Sequence, residues 1–287
     1  MRDFTLQTYR QLLNALKQAG YVFITYETYC EARAKNVAPA GRFVIMRHDV
    51  DLRAENSLKT AQIEAETGVK ASYYFRVVPQ SNQPDIIRRI AALGHEIGYH
   101  YEDMAIANGD TEAAIKHFEK KLAYFRQFYP VRTICMHGAP TSRYDGRDLW
   151  KQYNYRDFGI IGEPYFDTDF SRVTYLTDTG RCWDGYKVSL RDKIPVYQDR
   201  WISAGLVFHT TFDIIDRLIT NDARIQRQQI VRGLSEKRTM HDRLPEGLLI
   251  TTHPQRWTNN KAQWLKELLT QRAKNIVKRI LIVCSNA

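Results

Sequence analysis

The 287-residue sequence has few cysteines and no long apolar run. Its four cysteines are far apart and form no CxxC pair, which argues against a thiolate zinc module and against a disulfide framework. No segment approaches the roughly 18 apolar residues of a membrane span, and the N-terminus lacks the apolar centre of a secretion signal. We therefore expect a reduced, cytoplasmic protein without a transmembrane segment.

Internal repeats and low-complexity segments are also absent. Apolar residues make up 44% and charged residues 26% of the chain, as in ordinary globular proteins. A chain of this length fits one α/β barrel. The sequence predicts a single domain over 1–287, with its core at about 43–257 and N- and C-terminal helices packed on it.

The net charge is +10, which attracts anionic partners. The basic residues are spread along the chain, however, and no zinc-finger or RRM signature is present. A well-solvated surface is therefore favoured, and we expect no nucleic-acid partner. An anionic sugar conjugate or a membrane surface stays open as an alternative.

Apolar strand-like runs alternate with helical patterns. FVIM at 43–46, a helix over 54–67 and ASYYFRVV at 71–78 form the first such unit. Further helices are predicted over 84–94, 111–129, 212–219 and 261–279, and further strands at HEIGYH, VRTICMH, FGII, VTYL, AGLVFH, LLITTH and ILIV. This alternation favours an α/β fold with a parallel sheet, open or closed into a barrel, preceded by an extra N-terminal helix.

Five of the eight histidines directly or almost directly follow strand-like runs: His48, His100, His137, His209 and His253. Asp49 and Asp51 lie beside the first of them. Because the carboxyl ends of parallel strands meet at one edge, where active sites lie, the pattern predicts a site that combines imidazoles with two carboxylates. For His209 taken alone, a half-buried structural role is favoured.

In order along the chain, these segments resemble the motifs of the polysaccharide deacetylases, the NodB-homology or carbohydrate esterase family four. RHDVD is similar to the first motif, which implies Asp49 as general base and Asp51 as metal ligand. GHEIGYHYED is similar to the second motif, with His100 as ligand, and LLITTHP to the fifth, with His253 as general acid. The resemblance implies a metal-dependent hydrolase on a distorted (β/α) barrel that removes N- or O-acetyl groups from sugars.

Two further segments fit the resemblance. MHGAP, 136–140, takes the place of the third motif, whose backbone helps to form an oxyanion pocket. YLTDTGRCW resembles the fourth motif, with Asp178 and Trp183 in matching positions. A cation is expected to keep Asp49 ionised, and the alternatives are Arg47, Arg53 and Arg181. We expect catalytic roles for Asp178 and Arg181, and substrate contacts from His48, Tyr101, Glu102 and Trp183.

Two departures from the family pattern affect the metal site. Met104 stands where the family has a second histidine ligand, and a thioether is a poor ligand for a hard or borderline ion. The candidates for the missing ligand are Glu102, Asp103, His48 and His137. We favour His137, because no arginine occupies the place near it where the third motif often has one. The D-x-D spacing of the aspartates is the second departure.

The resulting prediction is a divalent ion, first of all zinc, held by Asp51, His100 and His137. The departures suggest a divergent, WbmS-like branch that acts on a carbohydrate or nucleotide sugar in surface-polysaccharide or O-antigen biosynthesis. A nucleotide-sugar glycosyltransferase with a D-x-D motif and a catalytically inactive, glycan-binding protein of the same fold remain the alternatives. A haloacid-dehalogenase phosphatase is disfavoured by Arg53, where that class has threonine or valine.

Overall fold

The computed structural model describes residues 2–37, 39, 41–183, 188–189, 191–219 and 244–285. The helices are α1 Leu6–Gln18, α2 Tyr26–Ala34, α3 Ala54–Glu66, α4 Pro84–Ala92, α5 Asp103–Ile106, α6 Thr111–Phe125, α7 Pro164–Asp167, α8 Pro195–Ser203, α9 at 211–219 and α10 Lys261–Ser285. The strands are β1 Val22–Ile24, β2 Phe43–Val50, β3 Ser72–Phe75, β4 Glu96–Tyr101, β5 Ile134–Met136, β6 Val173–Thr177 and β7 Gly247–Thr252.

All the strand pairs are parallel. The sheet has the order β5-β4-β3-β2-β7-β6, and β1 pairs with the first half of β2. The sheet curls into a half-barrel, so that segments after its two outer strands meet: Arg191 donates to the carbonyl oxygens of Gly138 and Ala139, both at 2.8 Å. The expected α/β fold with a curled parallel sheet is confirmed, and the carboxyl ends of its strands open on one side.

Strand β2 lies near the middle of this sheet and is buried along all eight residues. Such a strand is covered on both faces, which explains its continuous apolar start. Successive side chains point to opposite faces, so Arg47 and Asp49 share one face while His48 lies on the other. After β2 the chain turns through Arg53, whose φ of 55° lies in the left-handed region, before α3 begins.

Three predicted strands are absent from the structure. FGII, 158–161, begins at the last residue of a 3₁₀ turn and continues as irregular chain, and the nearest bridge is an isolated one at Gly162. AGLVFH, 204–209, is a turn followed by irregular chain. ILIV, 280–283, belongs to α10. Short apolar runs do not distinguish strand from helix, and a strand needs a partner edge whereas helical hydrogen bonds are local. Strand β1 and helix α2 were not predicted, because each is short and weakly patterned.

Along the part of the chain that the structure describes, none of the helices combines the length and the apolarity that crossing a membrane requires.

Candidate metal centre and active site

A cavity of about 1280 Å³ opens at the carboxyl ends of the strands. Seven of the residues proposed from the sequence line it: Asp49, Asp51, Arg53, His100, Glu102, His137 and His253. They come from the segments that follow β2, β4, β5 and β7, or from the last residues of these strands. The parallel arrangement therefore does bring distant parts of the sequence to one place.

Two histidines face one oxygen of Asp51. The Oδ1 atom of Asp51 lies 3.5 Å from His100 Nε2 and 3.5 Å from His137 Nε2. This oxygen is buried and accepts no hydrogen bond from any described residue. Burial by itself raises the pKa of Asp51, but the imidazoles of His137, His100 and His253 lower it well below its usual value. A carboxylate and two imidazoles are a common ligand set for zinc and related divalent ions.

The other ring nitrogens of these histidines are fixed by hydrogen bonds. His100 Nδ1 lies 2.9 Å from the carbonyl oxygen of Cys135, which can only accept, so Nδ1 carries a proton and Nε2 is the atom that offers a lone pair in the neutral ring. His137 Nδ1 lies 2.9 Å from Glu102 Oε2, and Arg76 binds the same carboxylate through two nitrogens. Such partners orient metal-binding imidazoles in known sites. The residues present therefore fit a divalent cation at Asp51, His100 and His137.

Asp49 is held by Arg47. Arg47 Nε and NH2 donate to the two carboxylate oxygens at 2.8 and 2.6 Å, and both side chains are buried. Of the three arginines considered from the sequence, Arg47 is therefore the one beside Asp49, because Arg53 pairs with Glu267 at 3.2 Å and Arg181 lies elsewhere. A D-x-D pair sharing one cation is disfavoured, since both oxygens of Asp49 are already engaged.

A second group that could hold a metal consists of Asp49, His100 and Cys135. All three are buried, and Cys135 does not line the cavity. Arg47 already engages both oxygens of Asp49. The group around Asp51 is therefore the better candidate, since its buried oxygen has no hydrogen-bond partner among the described residues and all three residues line the cavity.

His253 and Asp178 form a buried pair opposite these ligands. His253 Nδ1 lies 2.6 Å from Asp178 Oδ1, while its Nε2 lies 3.8 Å from Asp51 Oδ2. Asp178 also accepts hydrogen bonds from Trp257 Nε1 at 2.9 Å and from Arg256 NH1 at 2.5 Å. Burial raises the pKa of Asp178, but Arg256 and His253 lower it below its usual value. An ionised Asp178 thus fixes the imidazole with Nε2 directed into the cavity.

Besides Asp178, which contacts the cavity residue His253, four predicted site residues lie outside the cavity lining. His48 and Tyr101 are fully buried because each sits one residue from a cavity-facing neighbour and therefore points to the opposite face of its strand. Trp183 donates from Nε1 to Thr211 Oγ1 at 3.0 Å, and Arg181 lies over the rings of Phe4 and Trp264. Arg181 and Trp183 lie in a loop, where a match to a sequence motif does not predict the direction in which a side chain points. The structure thus does not bring these four residues to the cavity.

His209 and Met104 are two positions at which the sequence or the family pattern suggested a ligand and the structure places none. His209 is exposed and does not line the cavity, since the run before it is not a strand. Met104, which stands at the family's second histidine position, is buried in the apolar core. Met104 thus acts in packing, and His137 from the neighbouring strand end lies where a ligand is needed.

Asp192 is a cavity residue that sequence reasoning missed. It accepts hydrogen bonds from Tyr165 OH at 2.8 Å, Thr177 Oγ1 at 2.9 Å and Thr179 Oγ1 at 2.5 Å, and from the hydroxyl of Tyr175. Burial raises its pKa, yet Arg47, His253 and these hydroxyls lower it far below its usual value. Asp192 lies in a stretch without periodicity, so no sequence signal indicated it.

At the level of sequence, no family model and no curated protein matches this chain. Among solved structures, it is similar to the deacetylase PplD of Streptococcus pyogenes in complex with acetate. The two are 16% identical, the match covers 54% of this chain and 73% of that one, and the TM-score is 0.44. We therefore infer a function from the side chains of the cavity and not from this likeness.

Proposed function

We propose that the protein is a metal-dependent hydrolase that removes an acetyl or other acyl group from a sugar. The observation that supports this most directly is the buried Oδ1 of Asp51, which has no hydrogen-bond partner among the described residues and faces two imidazole Nε2 atoms at 3.5 Å. A buried acceptor without a partner is costly in a folded protein, and a cation removes that cost. With only these three residues as ligands, a divalent ion would have room for substrate and water.

When bound, a divalent ion polarises the acyl carbonyl and makes a water molecule more acidic. Asp49 is the general base that accepts the proton of the attacking water, and Arg47 holds its carboxylate in place through two hydrogen bonds. His253 is the general acid: Nε2 donates a proton to the departing amine or alkoxide while Asp178 holds Nδ1. The base and the acid come from neighbouring parallel strands: Asp49 lies in β2 and His253 directly follows β7.

The finer assignments belong to the same proposal. Zinc is the first candidate metal because the ligands are imidazole and carboxylate. The resemblance to deacetylase motifs supports an N-acetyl or O-acetyl sugar, free or attached to a nucleotide. The resemblance to a WbmS-like branch directs the search to cytoplasmic precursors of surface polysaccharides, O antigen among them.

The test compares Asp49→Asn and His253→Gln with the parent protein in metal content and in acetate release from N- and O-acetylated sugars. Both variants are expected to keep the metal and to lose at least about 100-fold in turnover, since a positioned acid or base contributes 10²–10⁴. Asp85→Asn is the matched control, because its side chain is 96% exposed and far from the cavity lining.

Asp49→Asn also weakens a buried ion pair, so its folding is checked by thermal unfolding. His253→Gln leaves the Arg47–Asp49 pair intact. It can therefore test the proposal even if Asp49→Asn does not fold. Parental turnover in both folded variants would contradict the proposal. A metal-loaded protein that binds acylated sugars without releasing acetate would indicate the inactive, glycan-binding alternative.

A further inference from the structure

The C-terminal helix α10 forms one wall of the cavity. Glu267, Gln271, Lys274 and Lys278 recur at intervals of three or four residues on this helix and all line the cavity. Two contacts fix the helix beside the site: Glu267 pairs with Arg53, and Asn275 Nδ2 donates to the carbonyl oxygen of Gly180 at 2.8 Å. A polar and basic helix face is thereby turned toward the proposed metal centre.

The cavity carries an excess of positive charge. Among the described residues that line it, eight are lysine or arginine and five are aspartate or glutamate. Three of those carboxylates are already paired, Asp49 with Arg47, Glu102 with Arg76 and Glu267 with Arg53. Asp51 is assigned to the metal. Asp192 accepts hydrogen bonds from four hydroxyl groups. Of the other lining cations, Arg256 pairs with Asp178 and Arg191 lies 3.8 Å from Asp145, so the lysines of α10 and Arg143 remain.

The lysines of α10 are the cations left over. Lys266, Lys274 and Lys278 form no ion pair with any residue in the part of the chain that the structure describes. Lys278 is partly buried: burial lowers its pKa, and the positive charges of Arg256 and Lys274 lower it further. Lys266 and Lys274 are exposed and Lys278 is half-buried. Neighbouring like charges repel each other, and an anion between them removes that repulsion.

Arg256 adds a second, independent sign of a missing partner. Its NH1 donates to Asp178, but its Nε is buried and has no hydrogen-bond partner among the described residues. Arg256 is only 6% exposed and lines the cavity. Lys274, Lys278 and Arg256 all line the same cavity as Asp51. An anion bound there would sit close to the acyl group that reacts.

We propose that the acylated sugar taken by this cavity carries an anionic group, a phosphate or a carboxylate, that is bound by Lys274 and Lys278 with Arg256 beside them. That the substrate is a sugar rests on the proposed function. The anion site itself is inferred from the charges that line the cavity. A neutral sugar would leave the excess of positive charge without compensation. The preference for anionic substrates is therefore a property of α10 and not of the metal ligands.

The test measures binding of three unreactive probes, glucosamine, glucosamine 1-phosphate and glucosaminuronic acid, to the zinc-loaded protein by titration calorimetry. We expect one or both anionic probes to bind at least about tenfold more tightly than glucosamine, with a difference that shrinks as salt screens the charges. The phosphate and the uronate arms show which anion the site prefers. Equal binding of all three probes, or binding of none, would overturn the inference.

The variant Lys274→Met/Lys278→Met is expected to lose this preference while keeping its metal content. Arg272→Met is the matched control, because Arg272 is exposed on the same helix and does not line the cavity. A preference retained in the double variant, or lost equally in the control, would count against α10 as the anion site.

Measuring acetate release distinguishes the failure of the proposed hydrolase from the failure of the proposed anion site. If acetate is released as fast from N-acetylglucosamine as from its 1-phosphate, the hydrolase stands and the anion inference fails. If the phosphate probe binds tightly but no acetylated sugar is hydrolysed, the anion site stands and the proposed function fails.

Discussion

Two clusters of histidine and carboxylate lie on opposite faces of β2, and they differ in how completely they are hydrogen-bonded. One surrounds Glu64 and includes His48; the other surrounds Asp51 and includes His100, His137 and His253. Neighbouring residues of a single sequence segment, RHDVD, supply members of both. Chemical composition alone therefore does not distinguish a structural cluster from a functional one.

The cluster around Glu64 is closed. Tyr9 OH and Tyr73 OH donate to its two oxygens, both at 2.5 Å, and His48 Nε2 lies 2.7 Å from Oε1. His48 Nδ1 is engaged by Thr252 Oγ1 at 2.6 Å. Every polar atom named has a partner, all of these side chains are buried, and the cluster offers no position to a ligand.

The cluster around Asp51 is open. Its imidazole Nε2 atoms stand 3.5 to 3.8 Å from the carboxylate, beyond the length of a good hydrogen bond, and one oxygen has no partner among the described residues. It also faces a cavity. The comparison teaches that unsatisfied ligand atoms, and not histidines near carboxylates as such, indicate the metal centre.

Asp51→Asn should give the largest difference between the clusters. The variant is expected to lose more than about 100-fold in metal affinity, beyond the 10- to 100-fold typical of outer-shell changes, because a ligand itself is removed. In the presence of a chelator its stability should fall by less than that of Glu64→Gln, because Oδ1 has no hydrogen bond to lose and only the attraction to the imidazoles that lowers the pKa of Asp51 is removed. Metal analysis and chelator-treated thermal unfolding measure both. Full metal content in this variant would remove Asp51 from the site.

Glu64→Gln should show the opposite result. Losing the ionised acceptor of two tyrosines and His48 is expected to lower the free energy of unfolding by about 2–4 kcal/mol, with metal content unchanged. Denaturant unfolding of the chelated protein measures the loss. A variant that keeps its stability but loses metal would reverse the roles that we give to the two clusters.

Glu96 is a buried carboxylate without an imidazole partner, and it sharpens the comparison. Burial raises its pKa to about 7, although Ser72, Thr133 and the backbone N–H of Glu27 donate to it. Between the unfolded pKa and about 7 the folded protein binds the extra proton, so this contribution to stability is lost as pH rises through 7.

The matching variant is Glu96→Gln, which has no such proton to lose. Relative to the parent, its free energy of unfolding should rise by up to about 3 kcal/mol between pH 5 and pH 8. Unfolding curves at several pH values provide the measurement. A constant difference across this range would show that Glu96 is ionised in the fold throughout.

Glu102→Gln should have the smallest effect, through His137. The variant removes the carboxylate that orients His137 Nδ1 and pairs with Arg76, so metal affinity is expected to fall about 10- to 100-fold. Competition with a fluorescent chelator gives the affinity. Glu66→Gln, in an exposed ion pair with Arg10, is the control and should bind metal as the parent does.

The sequence predicted the α/β fold and much of the site, for identifiable reasons. Strand-end placement brought Asp49, Asp51, His100, His137 and His253 into consideration, and the structure brings all five to one cavity. His48 and Tyr101 were placed at the site although strand alternation turns them away from it, so applying the two-residue period at strand ends would have excluded them. Asp192 and the place of α10 beside the cavity were beyond reach: the helix was predicted over 261–279, but its packing against the site depends on tertiary contacts.

By itself, the sequence determined which residues end the strands and which face of each strand they occupy, because both follow from local periodicity and parallel order. Only the tertiary structure decided which of those residues meet: that His137 rather than Glu102, Asp103 or His48 joins Asp51 and His100, that Arg47 holds Asp49, and that α10 closes one side of the cavity. Distances between strand ends depend on register, curl and loop path, which are set by packing across the whole fold.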